Sequence, residues 1–200
     1  MDQKVINLTE RLDRGIFKLA RSLQEVHNTG ELVDLTCREI AHSIGYRSVW
    51  LQWISELNGN GSSLLMASGD KSQQLEQYSK AKKTNTRILN KSECPEDLPQ
   101  VIPDARIDPL VNEDFVAALG IRSLVIIPLR RSGSTFAYLM TGSFENDGND
   151  VPEEAEIAYL TELGDQVSAA LHRLNYSLEM SDRQIHPQEL IHSLAMLNKY

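Results

Sequence analysis

Two apolar runs, GIRSLVIIPLR at 120–130 and TFAYLMTGSF at 135–144, are joined by a turn at 131–134 that contains Gly133. So short a connection makes the two strands run antiparallel, because a parallel pair needs a crossover of a dozen residues or more. Upstream, GYRSVWLQWISE at 45–56 alternates with a period of two. Val49, Leu51 and Trp53 project to one side of that strand, and Trp50, Gln52 and Ile54 to the other. A turn at 58–61 then leads to a partner strand, SLLMASG at 63–69.

Helical stripes bracket these strands. Val5, Leu8, Leu12, Ile16, Leu19, Leu23 and Val26 recur at steps of three and four over 2–27. Gly15 weakens that helix, since glycine costs about 1 kcal/mol relative to alanine. The stripe is narrow, so it fits a coiled-coil seam between two chains and packing on its own domain equally well. Asn28 and Thr29 cap a second helix, on which Val33, Cys37, Ile40, Ala41 and Ile44 share a face, and Gly45 ends it. A short helix is expected at about 112–119. The closing helix starts at Asp150 as cap, with Pro152 in its first turn and Glu153, Glu154 and Glu156 at the positive end of the dipole. Its stripe runs through Ile157, Leu160, Leu163, Val167, Leu171, Leu174 and Leu178, long enough for the end to project. After Pro187, Leu190, Ile191, Leu194 and Leu197 suggest one more helix.

This order predicts an α+β domain with a mainly antiparallel sheet and helices on one face. The other face must be covered by the connection over 70–119. That segment holds a polar helix or loop at 70–85, a short edge strand at Arg87, Ile88 and Leu89, and a loop at 91–100 with Cys94. A long connection with little regular structure marks a functional segment, and folded over a sheet it encloses a pocket.

The net charge of −8 disfavours nucleic acid and anionic membranes as partners. No run approaches the roughly 20 apolar residues that span a bilayer. Two cysteines, Cys37 and Cys94, make no disulfide framework and fit a reducing cytoplasm. Cys37, on a helical stripe, reads as a small buried hydrophobe. The five histidines are scattered, and the six-residue spacing of His186 and His192 suits no helical metal pair. With no Gly-rich phosphate loop and no Ser/His/Asp order either, the expectation is a non-catalytic protein without a metal.

Four segments in order resemble the GAF domain family, a small-molecule-sensing module of signalling proteins. They are IGYRSVWLQWI, VIPDARIDP, GIRSLVIIPL and VPEEAEIAYLTELGDQVSAAL, and the resemblance spans about 20–175. It implies a six-stranded antiparallel sheet, helices behind it and a ligand cavity under a lid in front. It also implies a homodimer through the first and last helices, relaying a signal to an attached or partner output domain. The corresponding division is a dimerisation helix at 1–27, a sensor domain at 28–175 and a helical extension at 176–200. Under this arrangement Trp50, Gln52, Asp104, Arg106, Asp108, Phe115, Leu119, Ser123 and Val125 are the candidate ligand-binding residues. The ligand itself, and any cofactor, stay open.

Each candidate also has a plain structural role. Asp104 and Asp108 are favoured as turn organisers, since aspartates bond to nearby backbone amides and Asp108-Pro109 starts a turn. Arg106 either clamps an anionic ligand or pairs with the same carboxylates. Trp50 either stacks on a ligand or is core. Gln52 needs amide partners if its face is buried, and none if that face is solvated. Phe115, Leu119 and Val125 serve a cavity or a core equally well.

Chemically specific branches of the family fit less well. LVNEDFVAALG carries no cysteine for covalent bilin attachment, and FENDGNDVPEEAE lacks the cyclic-nucleotide spacing. A thiol-dependent methionine sulfoxide reductase centred on Cys94 is one alternative to the sensor reading. A ligand-free protein–protein interaction module is the other.

Overall fold

The computed structural model describes residues 3–53, 65–81, 89, 99–144 and 151–174. The expected turn at 58–61, Arg87 and Ile88, Cys94, Asp150 and the extension over 176–200 lie outside the described residues.

The first helix, α1 (Gln3–Leu23), stops short of residue 27. The amides of Gln24 and Glu25 donate three residues back, to the carbonyls of Arg21 and Ser22, and so tighten the last turn. In α2 (Thr29–Ser43) the Asn28 side chain accepts from the Glu31 amide, while the Glu31 carboxylate accepts from the amide of His27. The Ile44 and Gly45 amides both donate to the Ile40 carbonyl, a closure for which Gly45 adopts φ 88°.

The sheet comprises β1 (Ser48–Trp53), β2 (Leu65–Gly69), β3 (Gln100–Ile102), β4 (Ile121–Arg131) and β5 (Ser134–Phe144), in the order β2-β1-β5-β4-β3. Every pairing is antiparallel, and five strands are described where the family resemblance implies six. The β4–β5 turn places Ser132 at φ 50° and Gly133 at φ 85°, the two left-handed positions of a type I′ hairpin.

Between β2 and β4 lie α3 (Ser72–Ala81) and α4 (Glu113–Leu119), with Leu89 bridging to Val111. The Asn112 side chain caps α4, and Gly120 closes it in the left-handed conformation. The closing helix, α5, covers 154–174. Its cap is Glu153, not Asp150: the Glu153 carbonyl accepts from Ile157, and the Glu156 carboxylate accepts from the Glu153 amide. Pro152 therefore precedes the helix, and without an N–H it could not make the bond that the Glu153 amide donates to Glu156.

The sheet separates two cores. On one face Val49, Leu51, Val125, Ile127 and Leu139 pack under α1, α2 and α5. Leu12, Ile16, Leu19, Leu23 and Val26 belong to this core, so most of the α1 stripe packs on its own domain. On the other face Trp50, Leu124, Ile126, Tyr138 and Met140 are covered by Leu75, Leu89, Ile102, Ala105, Val111, Phe115, Val116 and Leu119. The connection thus closes over the sheet as a lid. No helix among the described residues is long and apolar enough to cross a membrane.

Candidate functional site

The lid-side face is centred on Trp50, which alternation in β1 turns away from the helices. Trp50 and Phe115 are both fully buried, with ring centroids 6.1 Å apart and planes at 78°. Phe144 meets Trp50 at 5.9 Å and 86°, and Tyr78 meets Phe115 at 5.6 Å and 76°. Edge-to-face contacts of this kind set positive ring edges against negative faces and are worth about 0.5–1.5 kcal/mol each beyond their burial. The Lys71 ammonium lies 5.1 Å from the Phe144 ring centroid, at the border of this cluster.

One atom in the cluster is not satisfied. Trp50 Nε1 is buried without a hydrogen-bond partner. Burying a donor without an acceptor costs about 1–3 kcal/mol, so an indole N–H here calls for an acceptor that the described residues do not supply. Gln52 lies two residues along the same face, opposite Tyr138, and is 7% exposed. That face is therefore buried and not solvated.

The loop before α4 is held by its aspartates. Asp104 Oδ1 accepts from the Arg106 amide at 3.1 Å and from Arg106 Nε at 2.8 Å, and Oδ2 accepts from Arg106 Nη2 at 2.7 Å. Arg106 holds the Asp104 carboxyl down at about 2, well below its ordinary 3.8. Asp108 Oδ1 accepts from the Leu110 amide at 2.9 Å, closing an Asx turn. The Ala105 amide donates to the Arg122 carbonyl at 2.7 Å, which pins the loop to β4. Asp104, Arg106 and Asp108 thus organise turns at the lid's rim.

The nine candidates do not share one face. Trp50, Gln52, Phe115 and Leu119 belong to the lid side. Val125 lies in the core beneath the helices, and Ser123, two residues earlier in β4, takes the same side. The Ser123 and Ser143 hydroxyls meet at 2.7 Å, a buried cross-strand pair. These two corrections have one cause: β4 is buried on both faces from Ser123 to Leu129, so no polar alternation reveals which side is which.

Cys37 is 5% exposed, and its thiol donates weakly to the Arg47 carbonyl at 3.6 Å. Burial pushes its pKa up, which suits packing and not nucleophilic chemistry.

The residue pattern did not single out Glu39. It is 7% exposed, and its Oε1 accepts from Ser43 Oγ at 2.7 Å and from Tyr159 Oη at 3.4 Å. The available signal was Gly15, because a glycine inside an amphipathic helix marks a close approach. A Cβ at Gly15 would collide with Glu39 Oε1.

A family model described as GAF domain matches residues 28–171. The fold is similar to the GAF domain of a phosphoenolpyruvate-protein phosphotransferase from Coxiella burnetii, at TM-score 0.62 and 12% identity, covering 84% of this chain and 97% of that one. It is also similar to the GAF domain assigned to a sensor histidine kinase of Pseudomonas syringae pv. tomato, at TM-score 0.59 and 13% identity, with 90% and 97% covered. A free methionine-R-sulfoxide reductase from Neisseria meningitidis, solved with its substrate, aligns at TM-score 0.55 and 14% identity, with 88% and 95% covered. No curated protein matches by sequence.

Proposed function

The chain belongs to the GAF domain family, and from that premise we propose that it is a sensory, regulatory domain of a signal-transduction protein. It binds a small molecule under the lid and relays occupancy through α1 and α5 to an output domain or partner. The observation that supports this reading is the unpartnered Trp50 Nε1 inside an enclosed aromatic cluster. A ligand with a flat apolar body and one hydrogen-bond acceptor matches those groups. Binding displaces Phe115 or Tyr78, since their rings fill the space beside Trp50. Displacement moves α3 and α4, and the resulting population shift is the signal.

The relay works between two copies of the chain, in the cytoplasm. The inner stripe of α1 is occupied by its own core, so the dimer forms through the outer face, where Phe17 is 75% exposed. GAF domains of signalling proteins such as the sensor kinase above share this fold, which is consistent with the reading.

Nuclear magnetic resonance of the two indole N–H groups tests the ligand. Trp53 packs beside Phe136 at 5.7 Å on the opposite side of the sheet, so its resonance is an internal control. Titration with a metabolite library is expected to move the Trp50 indole resonance downfield while Trp53 stays in place, with Trp50→Phe confirming the assignment. Specific binding that leaves Trp50 unmoved would defeat this site. The reductase alternative is separated by assaying free methionine sulfoxide, since turnover lost in Cys94→Ser would place the chain among the enzymes.

A further inference from the structure

On the side of the sheet away from the lid, α1 and α2 border an open cleft of about 370 Å³. Glu10, Arg11, Arg14 and Lys18 of α1 line it together with Glu39 and His42 of α2, and Gly15 lies at its floor. The volume falls in the lower part of the range of about 300–1,000 Å³ typical of metabolite sites.

The charges there are distributed unusually for a chain of net charge −8. Arg11, Arg14 and Lys18 recur at steps of three and four, which puts three cations on one flank of α1. Of the two carboxylates at the cleft, Glu39 is turned into a hydrogen-bond network and Glu10 stands beside Arg14. Glu39 Oε1 accepts from the Ser43 and Tyr159 hydroxyls. Glu10 reaches Arg14 only at 3.9 Å, with their side chains 61% and 84% exposed, so that pair contributes little. Arg11 donates through Nη2 to the Ser43 carbonyl at 2.9 Å, which fixes its guanidinium at the end of α2. Lys18 and His42 have no ion-pair partner among the described residues.

We propose that this cleft is a second ligand site, separate from the lid-side site proposed above, for a small organic anion bearing carboxylate or phosphate groups. Arg14 and Lys18 grip the anion, Arg11 orients it, and His42 adds a donor at the rim. The site is wired to the closing helix, because Glu39 at the cleft and Tyr159 of α5 share a hydrogen bond. An anion that draws Arg14 inward changes the field at Glu39, and Tyr159 carries that change into α5.

Amide chemical shifts of the full chain titrated separately with inorganic phosphate and with citrate test this. At about 10 mM probe a site of millimolar affinity is roughly nine-tenths filled. The expected result is saturable shifts confined to 10–18 and 39–43 with one or both probes, which also tells phosphate from carboxylate preference. Arg14→Ala with Lys18→Ala weakens binding by about tenfold or more. Arg21→Ala, an exposed cation of the same helix outside the cleft, leaves it unchanged. Both variants replace exposed helical side chains with the best helix former, so the fold is retained and circular dichroism verifies it. Absence of saturable shifts overturns the site. So do shifts scattered over the surface, or binding equal in the wild type and the double variant.

Discussion

Arg173 near the end of α5 donates from Nη2 to the carbonyl of Leu23 at the end of α1, at 2.6 Å. The same guanidinium donates from Nη1 to the Gln24 carbonyl at 2.6 Å and from Nη2 to the Val26 carbonyl at 3.3 Å. A cation is favourable at a helix C-terminus because the last carbonyls lack intrahelical donors and carry partial negative charge. Arg173 therefore ties the end of α1 to α5. Arg173→Ala is expected to destabilise the fold by about 1–2 kcal/mol, held to that range by the partial exposure of the bonds. Arg173→Lys should recover only part, because an ammonium cannot span three carbonyls as a planar fork does. Urea unfolding of the three proteins measures this; an alanine variant as stable as wild type would mean the clamp holds nothing.

Gly15 and Glu39 form a second link, between α1 and α2. Alanine at 15 would ordinarily strengthen a helix by about 1 kcal/mol. Here its Cβ would strike Glu39 Oε1 and lie 3.0 Å from Ser43 Oγ, and the carboxylate cannot swing away without losing its hydroxyl donors. Gly15→Ala is expected to cost about 1–2 kcal/mol net. In a Glu39→Ala background the same change should turn neutral or stabilising, since the obstacle is gone. A double-mutant cycle by thermal or urea unfolding reads the coupling, and additive effects would refute the contact.

These links explain where residue patterns end as a guide. The period of two in β1 announced that Trp50 and Val49 face opposite ways, and the 70–119 connection announced a cover. The turn at 131–134 was legible from Gly133 and from the two apolar runs. The faces of Ser123 and Val125 were not, because a strand buried on both sides has no polar residues to mark one. Glu39 and Arg173 read as ordinary helical charges, since what engages them lies far along the chain: Glu39 needs the gap at Gly15 and the hydroxyl of Tyr159, and Arg173 needs the end of α1. The partner of the α1 stripe was undecidable for a different reason, as an apolar seam has the same spacing whether its mate is another chain or α2 and α5.

Asp104 and Arg106 give a prediction in pH. The guanidinium beside it holds the Asp104 carboxyl at about 2 instead of 3.8. A folded-state value below the unfolded one means that the pair favours the fold above the unfolded carboxylate range. That contribution fades as pH falls from about 5 to about 2, and stays constant through neutrality. Arg106→Gln should return the Asp104 titration toward 3.8, as followed by carboxyl carbon shifts. The Leu110 amide, which donates to Asp108, should be little affected. An Asp104 that still titrates near 2 in the variant would assign the depression to the backbone amide instead.

Gly142 and Gly120 separate two reasons for a glycine. Gly120 closes α4 at φ 66° with nothing within 4 Å of where a Cβ would stand, so alanine there meets only the left-handed backbone, at about 1 kcal/mol. Asparagine, which tolerates that conformation, should cost less. Gly142 has an ordinary strand conformation, yet its Cβ would run into the Ser123 carbonyl across the β4–β5 ladder and lie 3.1 Å from Leu124 Cα. These are backbone atoms, and they sit beside the register shift between Ile121 and Ser123, where neither strand can move without disturbing the buried Ser123–Ser143 pair. Gly142→Ala should therefore cost more than Gly120→Ala, about 2 kcal/mol or more. No substitution at 142 should rescue it, because every side chain begins with the same carbon. Urea midpoints of Gly120→Ala, Gly120→Asn, Gly142→Ala and Gly142→Asn rank the four. If asparagine restored stability at 142 as it does at 120, backbone conformation and not the approach of β4 would be the constraint.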